Sequence, residues 1–123
     1  MKKTTIIIKN ETHDILPDQA GYLPYHRACT FFEVPAKGWS LEQIVNIANE
    51  ILWNRPENFI ISVSPVPVLL GLLAAGADAA GKRVYVFHND HREKKELPDG
   101  KIIMVVAKTG WKLVKIAGKC DHE

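Results

Sequence analysis

A cluster of imidazole, amide and carboxylate side chains follows an apolar run in the second half of the chain. His88, Asn89, Asp90 and His91 are consecutive and come directly after the strand-like run Arg83–Phe87. Mn²⁺ and Mg²⁺ need few protein ligands when substrate phosphates complete their coordination, so this cluster could hold either ion loosely. It is not a full ligand set, and no metal is assigned. The alternative is a turn whose histidines are hydrogen-bonded or exposed.

A loop rich in serine and proline follows an earlier apolar run. Phe59–Val63 is typical of a strand buried on both faces, and the Leu- and Ala-rich segment Val66–Ala80 predicts a buried helix. Parallel strands end at one edge of a sheet, where helix N-termini can bind anions. We therefore predict ligand contacts along one edge, from Ser62, Ser64, Pro65, Val66, Asn89 and Arg92. The alternative role of Ser64 is a simple helix cap.

The segment Asn10–Arg27 predicts a loop of unusual length, and such loops are often functional. Within it, Tyr25 and Arg27 could stack on a base and pair with a phosphate, which makes them candidate ligand-binding residues. The alternative is a surface loop that places its tyrosines against the core.

The rest of the chain predicts strands and one further helix. The strands are expected at Thr4–Lys9, Ala28–Val34, Gly81–His88, Lys101–Ala107 and Trp111–Ala117. The first two are expected to pair as an N-terminal β-hairpin, and the fourth to pair antiparallel with the third. The last is expected to be an edge strand, with a short helix as the alternative.

Ser40 and Gln43 have the spacing of a capping box and predict the start of an amphipathic helix. The polar run Asn54–Asn58 ends that helix and is explained by solvation. The predicted fold class is α/β: a Rossmann-like open mixed sheet with a central parallel βαβ unit, an N-terminal β-hairpin and C-terminal antiparallel strands.

Composition predicts one domain, residues 1–123, with a core that needs no disulfide or metal. A net charge of +2 permits an anionic ligand. Cys29 and Cys120 have no paired spacing, which predicts reduced thiols in the cytoplasm. No signal peptide, membrane span, zinc motif, P-loop or dinucleotide-binding motif is present, and extended DNA or RNA binding is not indicated.

The order of predicted elements resembles the CRISPR-associated Rossmann-fold (CARF) domains, in particular their minimal single-domain, ring-nuclease-like group. The resemblance is carried by the strand that ends in Val63-Ser64-x-x-Pro67 and by the strand that ends in Phe87-His88-Asn-Asp90. It implies a homodimer that binds a cyclic oligoadenylate across its two-fold axis. Some members of the family also cleave the ring, which implies a ring nuclease that ends type III CRISPR antiviral signalling. The ligand would lie over the loop Ser62–Pro67 and the start of the helix that follows.

Cleavage of such a ring needs a ribose 2′-hydroxyl in line with its phosphate and a group that transfers protons. His88 or His91 could be that group, and the resemblance adds Asp90, which falls where the single-domain group has an acidic residue after its fourth strand. These three are the candidate catalytic residues of a phosphodiesterase. The apolar face of the helix Val66–Ala80 could form the dimer contact, or its glycines could simply allow packing on the sheet. The alternatives are a nucleotide sensor without turnover and a structural interaction domain without a small ligand.

Overall fold

The computed structural model describes residues 4–23 and 29–118, which form a mixed α/β architecture. In chain order the strands are β1 (Thr5–Asn10), β2 (Cys29–Val34), β3 (Phe59–Ser62), β4 (Arg83–His88), β5 (Arg92–Glu96), β6 (Ile102–Val106) and β7 (Lys112–Gly118). The helices are α1 (Pro17–Ala20), α2 (Leu41–Asn49) and α3 (Pro67–Ala80), and α2 continues into a wider π-helical turn at Glu50–Asn54.

The central sheet has the strand order β2-β1-β3-β4-β7. Its first four strands are parallel, and β7 runs antiparallel beside β4. β3 and β4 pair in parallel and are joined through α3, so the predicted parallel βαβ unit is confirmed. β5 and β6 form a separate two-stranded antiparallel sheet.

The predicted N-terminal β-hairpin is wrong. β1 and β2 are parallel, with Thr5 opposite Cys29 and Asn10 opposite Val34. The connection between them, residues 11–28, includes α1 and is long enough to return the chain to the other end of the sheet, which a parallel pair requires. β1 also pairs with β3, so its carboxyl end lies at the same edge of the sheet as the ends of β3 and β4.

The predicted partner of the strand at Lys101–Ala107 is also wrong. β6 pairs with the charged segment that forms β5, while β7 takes the position beside β4, with His88 opposite Lys112. The edge strand expected at Trp111–Ala117 is confirmed, and the alternative helix does not form. The position of β7 beside β4 is explained by its apolar residues: Ala117 packs against the main core and Leu113 against the cluster on the other face of the sheet. Strand β5, in contrast, is charged and exposed throughout.

Helices α2 and α3 cover one face of the central sheet. Twelve buried residues form this main core: Ile6, Ile8, Val34, Ile44, Ala48, Ile51, Leu52, Ile60, Leu69, Leu73, Ala77 and Val84. The capping box predicted for α2 is confirmed, since the Ser40 N–H donates to Gln43 Oε1 at 2.8 Å and the Gln43 N–H donates to Ser40 Oγ at 3.2 Å.

The other face of the sheet carries a smaller apolar cluster. Ile7, Cys29 and Ile61 are buried there, against Tyr85 and Phe87 among others. The Cys29 side chain is buried in this cluster. No helix in the described ranges is long and apolar enough to cross a bilayer.

Candidate functional site at the carboxyl edge

The carboxyl edge of the central sheet contains a cavity at the point where the strand order reverses. The chain passes from β1 to β2 on one side and then returns to β3 on the other side of β1. Ligands of open α/β sheets bind at such switch points. The cavity, hereafter the switch-point cavity, has a volume of about 410 Å³ and is lined by Thr12, His13, Asp14, Leu16, Gln19, Val63, Pro65 and Trp111.

His13 is held at this cavity by a buried serine. Ser64, only 2% exposed, accepts a hydrogen bond from the Asn10 N–H at 2.8 Å, and its Oγ also lies 2.8 Å from His13 Nδ1. The hydroxyl has a single proton, and donating it to Nδ1 satisfies all three groups at once. The proton of the neutral imidazole then lies on Nε2. This second ring nitrogen takes no part in the contact with Ser64 and remains a hydrogen-bond donor.

The hydroxyls of Ser62 and Ser64 both make hydrogen bonds within the protein. Ser64 does not cap α3: the N-cap is Val66, which makes no side-chain cap, and Pro67 occupies the first turn. Ser62 is buried, and its hydroxyl donates to the Ser64 carbonyl at 2.7 Å. Both hydroxyls thus shape the loop, whereas Pro65 lines the cavity.

The charges at the carboxyl edge have both signs. The first turn of α3 contains no acidic residue, so the positive end of the helix dipole is not neutralised from within the helix. The Lys9 ammonium donates to the carbonyls of Asn10 and His13, at 3.1 and 2.7 Å, and thus supports the same loop. Asp14 lines the cavity with the opposite charge.

An adjoining cavity of about 280 Å³ shares Val63, Pro65 and Trp111 with the first. Trp111 therefore separates two adjacent spaces. Its ring packs edge-on against Phe87, with centroids 6.4 Å apart. The indole Nε1 is buried, and no acceptor for it exists among the described residues. The aromatic ring at the wall of both cavities is suited to contact with a planar group.

The loop after β4 places the predicted catalytic residues outside both cavities. His88 is exposed at the end of β4, and His91 Nε2 lies 3.6 Å from Asp90 Oδ1 with both side chains exposed. Asn89 is buried and holds the loop: its amide donates to the carbonyls of Ala107 and Thr109, at 2.9 and 2.8 Å.

The remaining residues predicted to contact a ligand are Arg92, Val66, Tyr25 and Arg27, and they lie in different surroundings. The Arg92 guanidinium donates to the Asn89 and His91 carbonyls, which accounts for its position. Val66 packs against the main core. Tyr25 and Arg27 lie outside the described residues. In the described ranges, no three His, Cys, Asp or Glu side chains come together as metal ligands.

A charged network lies at the opposite, amino edge of the sheet, formed by Thr30, Arg55, Glu57 and Lys82. Glu57 is fully buried, which contradicts the expectation that the run Asn54–Asn58 is explained by solvation. Arg55 donates to both carboxylate oxygens, at 3.1 and 2.6 Å, and Thr30 donates to one at 2.6 Å. Burial opposes ionisation, but these hydrogen bonds and the Arg55 charge outweigh it and lower the pKa of Glu57 to about 2.

Lys82 completes the charged network from the end of α3. Its ammonium donates to the carbonyls of Arg55 and Glu57, both at 2.6 Å, and burial lowers its pKa. The Glu57 carboxylate and the Lys82 ammonium are thus bonded within the protein, so this network stabilises the fold.

Comparison with known proteins identifies no relative of this chain. No family model, no curated protein and no solved structure matches it. Any function assigned to the chain therefore depends on the geometry of the carboxyl edge.

Proposed function

We propose that this chain binds a phosphate-bearing nucleotide in the switch-point cavity, and that the ligand is a cyclic oligoadenylate. One observation carries the proposal. Ser64 fixes the His13 ring at the wall of a cavity of about 410 Å³, and the Nε2 atom of that ring remains able to donate a hydrogen bond. Small-molecule sites commonly have volumes of about 300–1,000 Å³. The parallel order β2-β1-β3-β4 supports a Rossmann-like fold, and the resemblance to CARF domains supports this ligand class.

The phosphate is expected at His13 and the start of α3. Nε2–H donates to a phosphate oxygen, and the uncapped end of α3 adds a favourable dipole. Trp111 borders the same space, so an adenine ring stacks on its indole.

Turnover would use the loop after β4. A ring of several nucleotides is larger than one cavity, so it extends along the carboxyl edge towards Asp90 and His91. The ribose O2′ attacks the adjacent phosphorus, the P–O5′ bond breaks, and a 2′,3′-cyclic phosphate and a 5′-hydroxyl form. His88 or His91 removes the O2′ proton and returns one to O5′. This reaction requires no metal ion, although Mn²⁺ or Mg²⁺ at Asp90 would assist it.

The proposal places the protein in the cytoplasm as a homodimer, with no membrane and no extended nucleic acid as partner. A sensor without turnover is the second candidate, favoured by the position of the catalytic candidates outside both cavities. It uses the same binding residues and yields no product.

Thermal shift with cyclic tetra- and hexa-adenylate, with linear oligoadenylates as controls, tests binding. We expect one ring to raise the melting temperature of the native protein, and His13→Ala to abolish the shift. The double variant His88→Ala/His91→Ala should retain the shift and lose product formation. No shift with either ring would overturn the proposal, and a shift without product from the native protein would establish the sensor.

A further inference from the structure

The β5–β6 hairpin carries an apolar strand that the described part of the chain leaves uncovered. β6 reads Ile-Ile-Met-Val-Val, and Ile102 and Met104 are 66% and 58% exposed. Ile103 and Val106 are exposed as well. An exposed apolar strand with a free edge promotes association with another strand, and proteins generally cover or charge such an edge.

Only the base of the hairpin is fixed to the central fold by described hydrogen bonds. The Asn89 amide bonds to the carbonyls of Ala107 and Thr109, and Asn89 Oδ1 accepts the His91 N–H. Beyond this base, β5 and β6 pair with each other. A two-stranded hairpin is marginally stable in water, so this one requires a further surface or strand.

Hydrogen bonds at the two ends of the hairpin identify which backbone groups of β6 remain available. The Ala107 N–H donates to the His91 carbonyl, and the Leu97 N–H donates to the Lys101 carbonyl. Bonded and non-bonded pairs alternate in an antiparallel ladder. Ile103 and Val105 therefore bond towards β5, whereas the N–H and C=O groups of Ile102, Met104 and Val106 point away from it.

We propose that β6 pairs antiparallel with β6 of a second copy of this chain, around a two-fold axis at Met104. This register places Met104 opposite the partner's Met104 and Ile102 opposite the partner's Val106. In this register the outward-facing backbone groups of Ile102, Met104 and Val106 lie opposite the outward-facing groups of the partner strand and form hydrogen bonds with them. The two hairpins then become one four-stranded sheet.

Charge does not oppose a second copy as the occupant. Lys101 falls opposite the partner's Ala107, and Lys108 opposite the partner's Gly100, so no lysine faces a lysine. The partner's Asp99 and the partner's Lys101 flank that glycine equally, so Lys108 meets no net repulsion there. The five residues of β6 carry no charge themselves, and thus nothing opposes the pairing of two identical strands.

Two other exposed surfaces are weaker candidates for this contact. The free edge of β7 offers Val114 and Ile116 but also Lys112, and α3 offers Leu72 beside the small residue Gly71. Neither surface combines an uninterrupted apolar strand with unpaired backbone groups. The proposed pairing names a contact for the homodimer of the proposed function, but it needs no nucleotide and would stand if nucleotide binding failed.

Sedimentation velocity of the ligand-free protein tests the pairing, using two variants that carry opposite charges at position 104. Met104→Lys and Met104→Glu each place like charges on the axis, and each should raise the dimer dissociation constant at least about tenfold. Mixing the two variants should restore a dimer, because lysine then faces glutamate. Two misfolded proteins would not regain association on mixing.

Matched substitutions on the other two surfaces test whether α3 or β7, rather than β6, forms the dimer contact. Leu72→Lys on α3 and Ile116→Lys on β7 should leave the dissociation constant within about twofold of the native value. A dimer that only one of these two variants disrupts would overturn the proposal. So would a native protein that remains monomeric up to about 1 mM.

A cysteine scan reports the register directly, in a Cys120→Ser background. Opposed residues of a bonded antiparallel pair have Cα atoms about 5.5 Å apart, within the range of a disulfide. Met104→Cys should form an intermolecular disulfide on mild oxidation, whereas Ile102→Cys, whose partner in this register is Val106, should not. Efficient cross-linking of Ile102→Cys instead would refute the two-fold axis at Met104.

Discussion

The carboxylate of Asp18 accepts a hydrogen bond from the backbone N–H of Trp111 at 2.8 Å, between segments 93 residues apart in sequence. Asp18 belongs to α1 and Trp111 immediately precedes β7. This contact therefore fixes one of the residues that border both cavities of the carboxyl edge.

Asp18→Ala should lower the free energy of unfolding by about 1 kcal/mol, because it removes an acceptor from a partly buried N–H. It should also weaken nucleotide binding, because Trp111 is no longer held at the cavity. Urea denaturation and ligand titration measure the two effects. Asp18→Asn keeps a carbonyl acceptor and should restore most of the stability, and equal losses in both variants would contradict this role.

Ser64 should determine the tautomer of His13. In the native protein, neutral His13 is expected to carry its proton on Nε2, since Nδ1 accepts from the Ser64 hydroxyl. Nitrogen chemical shifts of the imidazole distinguish the tautomers. Ser64→Ala should remove this preference and cost about 1–2 kcal/mol, because the Asn10 N–H loses its acceptor. A native His13 protonated on Nδ1 at high pH would contradict the assignment.

Glu57 should dominate the acid sensitivity of the fold. Its pKa is lowered from 4.5 to about 2, so between these values the unfolded chain binds the proton more strongly. Its contribution to stability is complete above pH 4.5 and is lost as the pH falls towards 2. A shift of this size corresponds to about 3 kcal/mol, which denaturation at several pH values can measure.

Glu57→Gln should flatten the pH dependence of stability between pH 4.5 and 2, and should destabilise the protein by about 3 kcal/mol or more at pH 7, since Arg55 loses its charged partner. Glu93→Gln, on the exposed strand β5, is the matched control and should change stability at pH 7 by less than about 0.5 kcal/mol. If both variants behaved alike, the charged network would not contribute as described.

The two glycines inside α3 should respond oppositely to alanine. A Cβ atom at Gly71 meets nothing within 4 Å, so Gly71→Ala should stabilise the protein by up to about 1 kcal/mol through helix propensity. A Cβ atom at Gly76 would lie 2.7 Å from Leu52 Cδ1 in the core. The cost of repacking, about 1–3 kcal/mol, exceeds that gain, and Gly76→Ala should lower the melting temperature.

Local patterns predicted the elements more reliably than they predicted the pairing of strands. Ser40 and Gln43 identified the start of α2, and the apolar run from Phe59 identified β3, because both signals are local. The direction of β2 depends on the path of residues 11–28, which no short-range pattern records. A connection of that length was itself a sign of a parallel crossover, since antiparallel neighbours are commonly joined by short turns.

The same error concealed part of the candidate site. With β1 and β2 treated as a hairpin, the end of β1 was not placed beside Ser64, so His13 was not recognised. Trp111 was also missed, because its position depends on the approach of β7 to β4. Glu57 was missed for another reason: its burial depends on Arg55 and Thr30, and composition alone cannot distinguish a solvated glutamate from a paired one.

The antiparallel direction of β7 has a practical consequence for handling the protein. Thr5 pairs with Phe59, Phe59 with Arg83, and Arg83 with Gly118, so the first and last described strands begin and end at the amino edge of the sheet. A fluorophore or surface linker attached next to either position would stand at the opposite end of the strands from His13 and Trp111. Immobilised protein should therefore present its cavities to solution without obstruction.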